Sequence, residues 1–351
     1  MRGLAPFDYI IRRMKTVRVA LLGAGTVGGA FANLLRLHQD RLAALGAEVK
    51  LSRVLVRDKT KPRSTISSEL LTDDADETLQ DCEVLVEVMG GTSLARTLVG
   101  QALEKKLPVI TANKALLAEH WQALRPHAQA GRLYYEASVM AGTPVVSALS
   151  SIWGSRTLEL HAILNGTTNY ILSRLEAGTP YPQALAEAQA KGYAEADPTL
   201  DVEGFDAAHK LAVLARLTVD PEFPWEPLRQ NTRGITALTP AHLSRAKNQG
   251  KAIRLVGSLY PEKGKWKGTV RPVLLPAEHP IARAGYQSNV LVYRGDAVGE
   301  LVFTGAGAGG PTTASAVLND LYRVLTGMPG HRPVPDALPA TGVPAEKLEE
   351  V

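Results

Sequence analysis

The residues with the clearest chemical potential lie in one acidic stretch, 192–210. Five carboxylates fall within twelve positions of it and a lysine follows them: Glu195, Asp197, Asp201, Glu203, Asp206 and Lys210. Asp206 and Lys210 are four positions apart, so a helix over 205–217 would place them on one face. Acids in a loop can bind an ammonium group, and the lysine beside them can transfer a proton. A solvated acidic loop with an ordinary surface ion pair is the alternative that residue types alone leave open.

A second lysine, Lys114, closely follows the apolar run 108–112, which is predicted to be a strand. In open parallel sheets, ligands bind at the edge formed by the carboxyl ends of the strands. Lys114 can therefore act as an acid–base group or hold a polar substrate group at that edge. A lysine that merely caps the mouth of the sheet is the structural alternative.

The segment 23–28 matches the pattern G-x-G-x-x-G and stands between a predicted strand and a predicted helix. Gly23 permits the tight turn, Gly25 leaves room for a pyrophosphate, and Gly28 lets the helix pack close to the strand. The first residues of the helix, Thr26 and Val27, offer free backbone N–H groups to phosphate. This context predicts a dinucleotide-binding site, with a ligand-free strand–helix turn as the alternative.

The choice of dinucleotide depends on the end of the second predicted strand, which reads Val56, Arg57, Asp58, Lys59. Arg57 and Lys59 could both hold a 2′-phosphate, which favours NADP. Asp58 could instead bind the ribose hydroxyls, as an acid at this position does in NAD-binding proteins. We expect NADP, with NAD also possible; a solvated loop of charges is an equal alternative for Lys59.

Five β-rich apolar runs alternate with stretches of helix formers in the first half of the chain. The runs span 17–22, 49–56, 84–89, 108–112 and 133–137, and helices are expected over 30–45, 97–106 and 114–130. After residue 150 we expect a strand at 158–164, helices at 170–177, 181–191 and 205–217, and antiparallel strands at 268–275 and 288–303. The sequence therefore predicts an α/β fold: a Rossmann-type parallel-sheet nucleotide-binding domain with an inserted α+β domain.

Composition limits the class of protein further. A length of 351 residues suggests two domains, and the net charge of +4 is too small to indicate a nucleic-acid partner. The single cysteine, Cys82, excludes an internal disulfide and fits a reducing, cytoplasmic location. The uncharged run 19–35 contains four glycines and is too short for a membrane helix. We expect residues 1–14 and 331–351 to be flexible ends.

Taken together, these motifs resemble homoserine dehydrogenase over about residues 17–325. The segments that carry the resemblance are 23–28, 90–92, 111–114, 136–143, 165–172, 192–210 and 305–313. The run Asn-Gly-Thr-Thr-Asn-Tyr at 165–170, combined with the acidic stretch and Lys210, is highly specific. The resemblance implies reversible NAD(P)-dependent oxidation of L-homoserine to L-aspartate 4-semialdehyde, in the biosynthesis of threonine, methionine and isoleucine.

The resemblance also implies roles for the substrate-facing residues. Lys210 matches the lysine usually assigned as proton donor and Lys114 a second lysine near substrate and cofactor; which of them transfers the proton is left open. The catalytic set is therefore Lys210, Lys114 and Asp206. Substrate would be held by Gly192, Glu195, Asp201 and Asp206, with the amino group paired to Glu195 and the nearby acids.

Further cofactor contacts follow from the same resemblance. Gly91, Thr92 and Lys114 match residues that contact the cofactor. The loop 305–310 resembles the family's return to the nucleotide-binding domain, where Gly307 and Gly309 would approach the dinucleotide. The implied division is 15–150 plus 305–330 for nucleotide binding and 151–304 for substrate binding and dimerisation.

Similar enzymes hold a monovalent cation, typically sodium, between the domains. Its ligands would match Glu136, through its side chain or backbone, and the carbonyls of Val139, Ala141 and Thr143. Oxygen ligands suit such an ion. Met140 stands where glycine is common in the family. If only backbone oxygens bind the ion, this side chain should be tolerated.

The family implies a homodimer, formed through the substrate-domain sheets. Longer members carry a C-terminal ACT domain; from its length we expect this chain to have none, and hence no ACT-mediated inhibition by threonine. A dinucleotide-binding sensor without catalysis is the alternative from another class, but it would not need both lysines and the acids. An aspartate-semialdehyde dehydrogenase would need a thiol nucleophile, and Cys82 lies away from the predicted ligand edge.

Overall fold

The computed structural model describes residues 14–340, 346 and 348–351. Its first sheet is parallel throughout, in the order β3-β2-β1-β4-β5-β6. The strands are β1 (Lys15–Leu22), β2 (Ala47–Leu55), β3 (Leu71–Thr72), β4 (Val84–Glu87), β5 (Val109–Thr111) and β6 (Leu133–Tyr134). This is the Rossmann strand order, and the order reverses between β1 and β4, where such sheets bind dinucleotides.

Helices connect these strands and cover both faces of the sheet, so the strands are apolar almost without interruption. They are α1 (Thr26–Leu37), α2 (Gln39–Ala44), α3 (Ala75–Thr78), α4 (Ser93–Glu104), α5 (Lys114–Glu119), α6 (Trp121–Gln129) and α7 (Val145–Leu149), with 3-10 turns at Ser68–Leu70 and Glu136–Ser138. The predicted helix 30–45 is two helices: α1 begins four residues earlier and ends before His38. The predicted helix 114–130 is likewise two, divided at His120.

The second sheet is antiparallel, in the order β11-β10-β7-β8-β9-β12. The strands are β7 (Thr157–Ile163), β8 (Lys251–Glu262), β9 (Lys265–Pro276), β10 (Ser288–Gly295), β11 (Gly299–Ala306) and β12 (Glu349–Glu350). The sequence did not predict β8. Its residues 252–259 are all buried, so the alternation of polar and apolar residues that marks a half-exposed strand is absent.

Helices of the second domain pack on one face of this sheet. They are α8 (Gly166–Glu176), α9 (Tyr181–Ala190), α10 (Thr199–Val202), α11 (Phe205–Thr218), α12 (Trp225–Gln230) and α13 (Pro240–Asn248). All residues of α11 from Asp206 to Thr218 are buried. Its apolar side chains share one core with Leu160, Leu255 and Leu259 of the sheet. A helix buried on all sides has no solvent-facing stripe, so polar residues within it need internal partners.

After β11 the chain returns to the first sheet through α14 (Gly310–Leu325). Val317, Leu318 and Leu321 of α14 share a core with Val19 and Phe31. The prediction of a Rossmann-type sheet joined to a second α+β unit is confirmed. Within the described part of the chain, no helix has the length and apolarity needed to cross a bilayer.

The described residues of the C-terminal tail, for which the sequence predicted a flexible end, make several tertiary contacts. His331 is buried and its Nε2 lies 2.8 Å from Asp320 Oδ1. Further along, the Leu338 carbonyl accepts a hydrogen bond from Trp266 Nε1 at 2.9 Å, and β12 pairs with the edge of β9. Prolines and charges suggested fraying, but tertiary contacts hold these residues. Residues 1–13, 341–345 and 347 lie outside the described residues.

Candidate active site

A buried acid–base pair is the centre of the site. The predicted spacing of Asp206 and Lys210 on one helix face is realised: Lys210 Nζ donates to Asp206 Oδ2 at 2.7 Å. Lys210 Nζ also donates to the carbonyl of Leu164 at 2.6 Å, just beyond the end of β7. Both side chains are about one-tenth exposed, so this is not the solvated surface pair that residue types left open.

Asn165 ties the pair to the acidic loop. Its Nδ2 donates to Asp206 Oδ2 at 2.8 Å and to Asp201 Oδ1 at 2.6 Å, while its Oδ1 accepts from the backbone N–H of Thr168 and so caps α8. The sequence singled out the motif that starts here but assigned Asn165 no role in the site. Its position directly after a strand, at the start of a helix, was the available signal.

Lys114 reaches the same carboxylate from the other domain. It is the first residue of α5, directly after β5, and Asn113 caps this helix with its side chain. Lys114 Nζ lies 3.2 Å from Asp206 Oδ1, so one carboxylate faces two ammonium groups. The structure thus brings together three sequence-predicted residues from two helices, α5 after the first sheet and α11 of the second domain.

The surroundings shift the pKa values of the two lysines in opposite directions. Burial lowers the pKa of Lys210 below its ordinary value, and the nearby Lys114 lowers it further, against the attraction of Asp206. The pKa of Lys114 is raised, chiefly by the charge of Asp206, with contributions from Asp201 and Glu195. Burial opposes ionisation of Asp206, but Lys210 and Lys114 together hold its pKa below the usual range. The network favours an ionised Asp206, a protonated Lys114 and an easily deprotonated Lys210.

The acidic loop forms the outer wall of the site. Glu195 is exposed and contributes to the field at Lys114, whereas Asp201 is half-buried and its pKa is raised by burial and by Asp206. Gly192 adopts a left-handed conformation with φ of +73° at the turn after α9. The Asp197 carboxylate already accepts hydrogen bonds from the N–H and the hydroxyl of Thr199. Besides Asp206, Asp201 acts on the pKa of both lysines, and Glu195 acts on that of Lys114.

The glycine fingerprint has the shape that a dinucleotide requires. Gly23 has φ of +95°, and a Cβ on Gly28 would overlap the carbonyl of Gly23. A Cβ on Gly25 would meet open space, so the backbone there is accessible to a ligand. Among the described residues, no side chain caps the N-terminus of α1, and its first turn holds no acid. The N–H groups of Thr26 and Val27 are thus available to a pyrophosphate.

The loop 305–310 lies against this fingerprint. A Cβ on Gly310 would come within 2.8 Å of Thr26 Cγ2, and Gly309 has φ of +130°. A Cβ on Gly307 would overlap the amide of Asn289, which is fully buried. Neither amide atom of Asn289 has a hydrogen-bond partner among the residues described. Asn289 was not predicted as a site residue, because a single asparagine within a strand carries no local signal.

The charged residues that follow β2 differ in whether they already have a partner. Lys59 Nζ is paired with Asp73 at 2.8 Å, and Asp58 Oδ1 accepts from both the N–H and the hydroxyl of Thr60. Arg57 is exposed and makes no ion pair within the described part of the chain. Of the two predicted phosphate-binding cations, only Arg57 is free of a carboxylate partner there.

The turn after β4 completes the dinucleotide edge. Gly91 has φ of +81°, and its carbonyl accepts from Asn113 Nδ2 at 2.8 Å; Thr92 directly precedes α4 but makes no capping hydrogen bond with its side chain. Beneath it, fully buried Glu87 accepts from Thr111 Oγ1 at 2.5 Å and from Met89 N–H at 3.0 Å. Burial raises the pKa of Glu87 to about 7. Glu87 thus links β4 to β5 beneath the site. An acid inside an apolar strand was the sequence feature that could have identified it.

The loop predicted to bind a cation has a distinctive backbone. Met140 and Ala141 both adopt left-handed conformations, with φ of +54° and +50°. This explains why glycine suits position 140, since a side chain there costs roughly 1–2 kcal/mol. The Glu136 carboxylate accepts from the N–H groups of Val146 at 2.9 Å and Ser147 at 2.8 Å, and so caps α7.

Cys82 is half-buried before β4, at the opposite end of the strand from Glu87, and burial raises the pKa of its thiol. Such a thiol is not an activated nucleophile. The chemistry therefore depends on lysines and carboxylates beside a dinucleotide cradle. A Rossmann fold that brings a buried acid–lysine network to its ligand edge is that of an NAD(P)-dependent oxidoreductase.

Comparison with known proteins identifies the family. The model of the homoserine dehydrogenase domain matches residues 144–322, and that of the homoserine dehydrogenase NAD-binding domain matches residues 23–136. The chain belongs to the homoserine dehydrogenase family. It catalyses the reversible NAD(P)-dependent oxidation of L-homoserine to L-aspartate 4-semialdehyde, as the sequence predicted.

Similar proteins cover most of the chain. The homoserine dehydrogenase of Bacillus subtilis is 38% identical over 90% of this chain and 74% of its own length, and that of Mycobacterium tuberculosis is 41% identical over 88% and 72%. The crystal structure of the Thiobacillus denitrificans enzyme superposes with a TM-score of 0.83 at 36% identity, covering 94% of this chain and 79% of that one. A hyperthermophilic archaeal homoserine dehydrogenase in complex with NADPH matches with a TM-score of 0.76 at 25% identity, covering 91% of this chain and all of that one.

Proposed function

We propose that Lys210, Asp206 and Lys114 form the catalytic centre for homoserine, with Lys210 as the proton-transfer group. The observation that carries this assignment is the shared carboxylate: Asp206 contacts both lysines within a buried site, at 2.7 and 3.2 Å. Of the two lysines, Lys210 is the one whose pKa is lowered. Oxidation of an alcohol needs a base, and a lysine serves as one only when it is neutral.

The hydrogen bonds of Lys210 determine where its lone pair points. A neutral amine has two N–H donors and one lone pair. The Leu164 carbonyl and Asp206 accept the two donors, which leaves the lone pair for the hydroxyl proton of homoserine. Lys114, which stays protonated, orients the substrate oxygen, and Glu195 and Asp201 pair with the substrate ammonium group. A bound nicotinamide would supply the hydride acceptor for the carbon that bears this hydroxyl.

The rate of homoserine oxidation should rise with pH. Lys210 must lose its proton before it can accept one from substrate, and burial together with Lys114 moves its pKa below the ordinary ~10.4. We expect kcat/KM for oxidation to increase from neutral to alkaline pH and to level off below that ordinary value. A profile without an ionisation in this range would contradict the assignment of a lysine base.

We propose that NADP is the preferred cofactor and that Arg57 binds its 2′-phosphate. Support comes from Arg57 just after β2, which is exposed and has no carboxylate partner among the described residues, while Lys59 is neutralised by Asp73. Replacing Arg57 with Ala should raise the KM for NADP by about tenfold or more, since a charged hydrogen bond contributes roughly 1.5–3 kcal/mol. The KM for NAD should change little. Lys59→Ala is the matched control, and equal effects of both variants would refute the special role of Arg57.

One assay separates the enzyme from a sensor and measures its preference. The absorbance of the reduced nicotinamide is followed with L-homoserine and either NAD or NADP. Turnover with both and a higher kcat/KM with NADP is the expected result. Binding of the dinucleotide without turnover would point instead to a sensor, and a higher kcat/KM with NAD would overturn the cofactor proposal.

A monovalent cation, sodium by its chemistry, is proposed at the carbonyls of Val139, Ala141 and Thr143, with Glu136 contributing through its backbone. The Glu136 carboxylate already accepts the first N–H groups of α7, which leaves carbonyl oxygens as the ligands. Hard oxygen donors suit such an ion. Replacing sodium with a large organic cation should lower activity, and unchanged rates would exclude a functional ion.

The assembly and domain division are proposed on the same basis. We place the nucleotide-binding domain at 15–150 plus 305–330, the substrate-binding and dimerisation domain at 151–304, and the protein in the cytoplasm as a homodimer. Packing of α14 on the first sheet supports the division, and a single free cysteine fits a reducing compartment. Sedimentation velocity tests the dimer; a concentration-independent monomer would refute it.

A further inference from the structure

Two buried polar residues lie on the face of the second sheet opposite the catalytic helix. Along β7, Leu160 and Ala162 belong to the core shared with α11, whereas Ile163 belongs to the core of the other face. Because side chains alternate across a strand, Glu159 and His161 also point to that other face. Glu159 is 1% and His161 2% exposed. Neither residue takes part in the site described above.

The C-terminal tail adds a third group. Glu346 donates its backbone N–H to Glu159 Oε2 at 2.7 Å, which brings the Glu346 side chain over the pair. One carboxylate oxygen from each glutamate and one ring nitrogen of His161 all lie within 4.8 Å of one another. His161 Nε2 is 3.6 Å from Glu159 Oε2.

The ring nitrogen that faces this cluster is unsatisfied. His161 Nε2 is buried and has no hydrogen-bond partner among the described residues, although such a group normally has one. Its other nitrogen, Nδ1, lies 2.9 Å from Ser258 Oγ on the neighbouring strand. If Nδ1 carries the proton and donates to Ser258, Nε2 presents a lone pair to the cluster. Metal-binding histidines are typically oriented by such a second contact.

The net charge around the cluster is negative and favours a cation. Arg294, opposite Glu159 on β10, pairs with Glu159 Oε1, while Oε2 faces His161. Two carboxylates and one guanidinium leave one negative charge uncompensated. His279 lies outside, with Nε2 3.8 Å from Glu346 Oε2; its Nδ1 accepts from Ile281 N–H, so Nε2 carries the proton and is not a ligand.

We propose that Glu159, His161 and Glu346 bind a divalent transition-metal ion of the zinc type, which clamps the C-terminal tail onto the second sheet. One imidazole and two carboxylates are ligands that Zn²⁺ accepts, with water at the fourth position. Ligand bonds of about 2.0–2.2 Å require the three groups to draw together by roughly 1 Å, which the exposed Glu346 side chain permits. The site is structural, since Lys210 lies on the opposite side of the sheet.

The test is a titration of the metal-stripped full-length protein with Zn²⁺ alone, by calorimetry and by thermal unfolding. We expect one site per chain and a rise in the unfolding midpoint on saturation, because an ion that binds only the folded state stabilises it. His161→Gln and Glu346→Gln should each weaken binding by at least about tenfold and abolish the rise. Ser258→Ala should weaken it by roughly tenfold, the usual effect of losing an orienting partner.

His242→Gln is the matched control, since His242 is an exposed imidazole in the cap of α13; it should bind Zn²⁺ like the parent protein. If His161→Gln folds poorly, Glu346→Gln still tests the proposal, because Glu346 is exposed. Absence of a one-to-one site in the parent protein would overturn the proposal. Binding that survives Glu346→Gln or His161→Gln would overturn it too, because the ion would then be held elsewhere. Zn²⁺ should also slow proteolytic trimming of the tail.

Discussion

Replacing Lys210 with Met should abolish homoserine turnover while NADP binding persists. Loss of a positioned base lowers kcat by about 10²–10⁴-fold. Lys210 lies in α11 of the second domain and contacts Asp206 and the Leu164 carbonyl, away from the glycine fingerprint. The dissociation constant of NADPH, measured by fluorescence titration, should therefore change little. Steady-state kinetics in both directions give kcat.

Lys191→Met is the matched control, since Lys191 is an exposed lysine at the end of α9, and it should leave kcat unchanged. Lys114→Met distinguishes the two lysines. If Lys114 orients the substrate while Lys210 transfers the proton, Lys114→Met retains the alkaline ionisation in kcat/KM and Lys210→Met loses it. If the opposite pattern were observed, the assignments would have to be exchanged. Parallel loss of turnover and cofactor binding in Lys210→Met would point to a folding role.

Replacing Asp206 with Asn should damage both catalysis and stability. The carboxylate holds two ammonium groups at 2.7 and 3.2 Å in a buried site. Without it, two positive charges face each other with only a neutral amide between them. Removing one partner of a buried ion pair typically costs about 3–5 kcal/mol of unfolding free energy. We expect a loss of this size at neutral pH, measured by urea denaturation, and at least a hundredfold loss in kcat/KM.

The effect of Asp206→Asn on stability should depend on pH in a defined direction. The folded-state pKa of Asp206 is held below its unfolded value of about 3.9. Its ionised form therefore stabilises the protein above that value, and the stabilisation is lost as the pH falls through the folded pKa. The difference between parent and variant should shrink on acidification. Asp197→Asn in the same acidic stretch is the control, because Asp197 is exposed and bonds only locally to Thr199. A difference that grew at low pH would contradict the assigned shift.

Local patterns were sufficient for the features that depend on neighbours in sequence. The glycine fingerprint is a contiguous turn within residues 23–28, so its spacing was recognisable in the sequence even though the close neighbour of Gly23 is the distant Met89. The Asp206–Lys210 pair follows from the helical repeat alone. The central strands β4 and β5 of the first sheet are fully buried and almost continuously apolar, so these runs were visible. β8 was missed because the buried polar residues Arg254 and Ser258 interrupt its apolar run.

Side-chain partnerships between distant segments could not be predicted in the same way. Lys59 and Asp73 are fourteen residues apart, and their pairing, which leaves Arg57 as the free cation, depends on how the loop after β2 folds back. Glu136 was predicted to bind an ion through its side chain or its backbone, and only the structure shows that its carboxylate caps α7. Each of these outcomes depends on which group comes within hydrogen-bond distance, and residue type does not determine that distance.

By itself, the sequence determined the dinucleotide-binding fold, the family and the set of lysines and carboxylates available for chemistry. Only the tertiary structure decided that Lys114, from helix α5 of the first domain, and Lys210, from helix α11 of the second, share one carboxylate. It also decided that burial lowers the pKa of Lys210 while the charge of Asp206 raises that of Lys114. The physical reason is that ionisation responds to desolvation and to charges within a few ångströms, and both arise only when distant segments pack together.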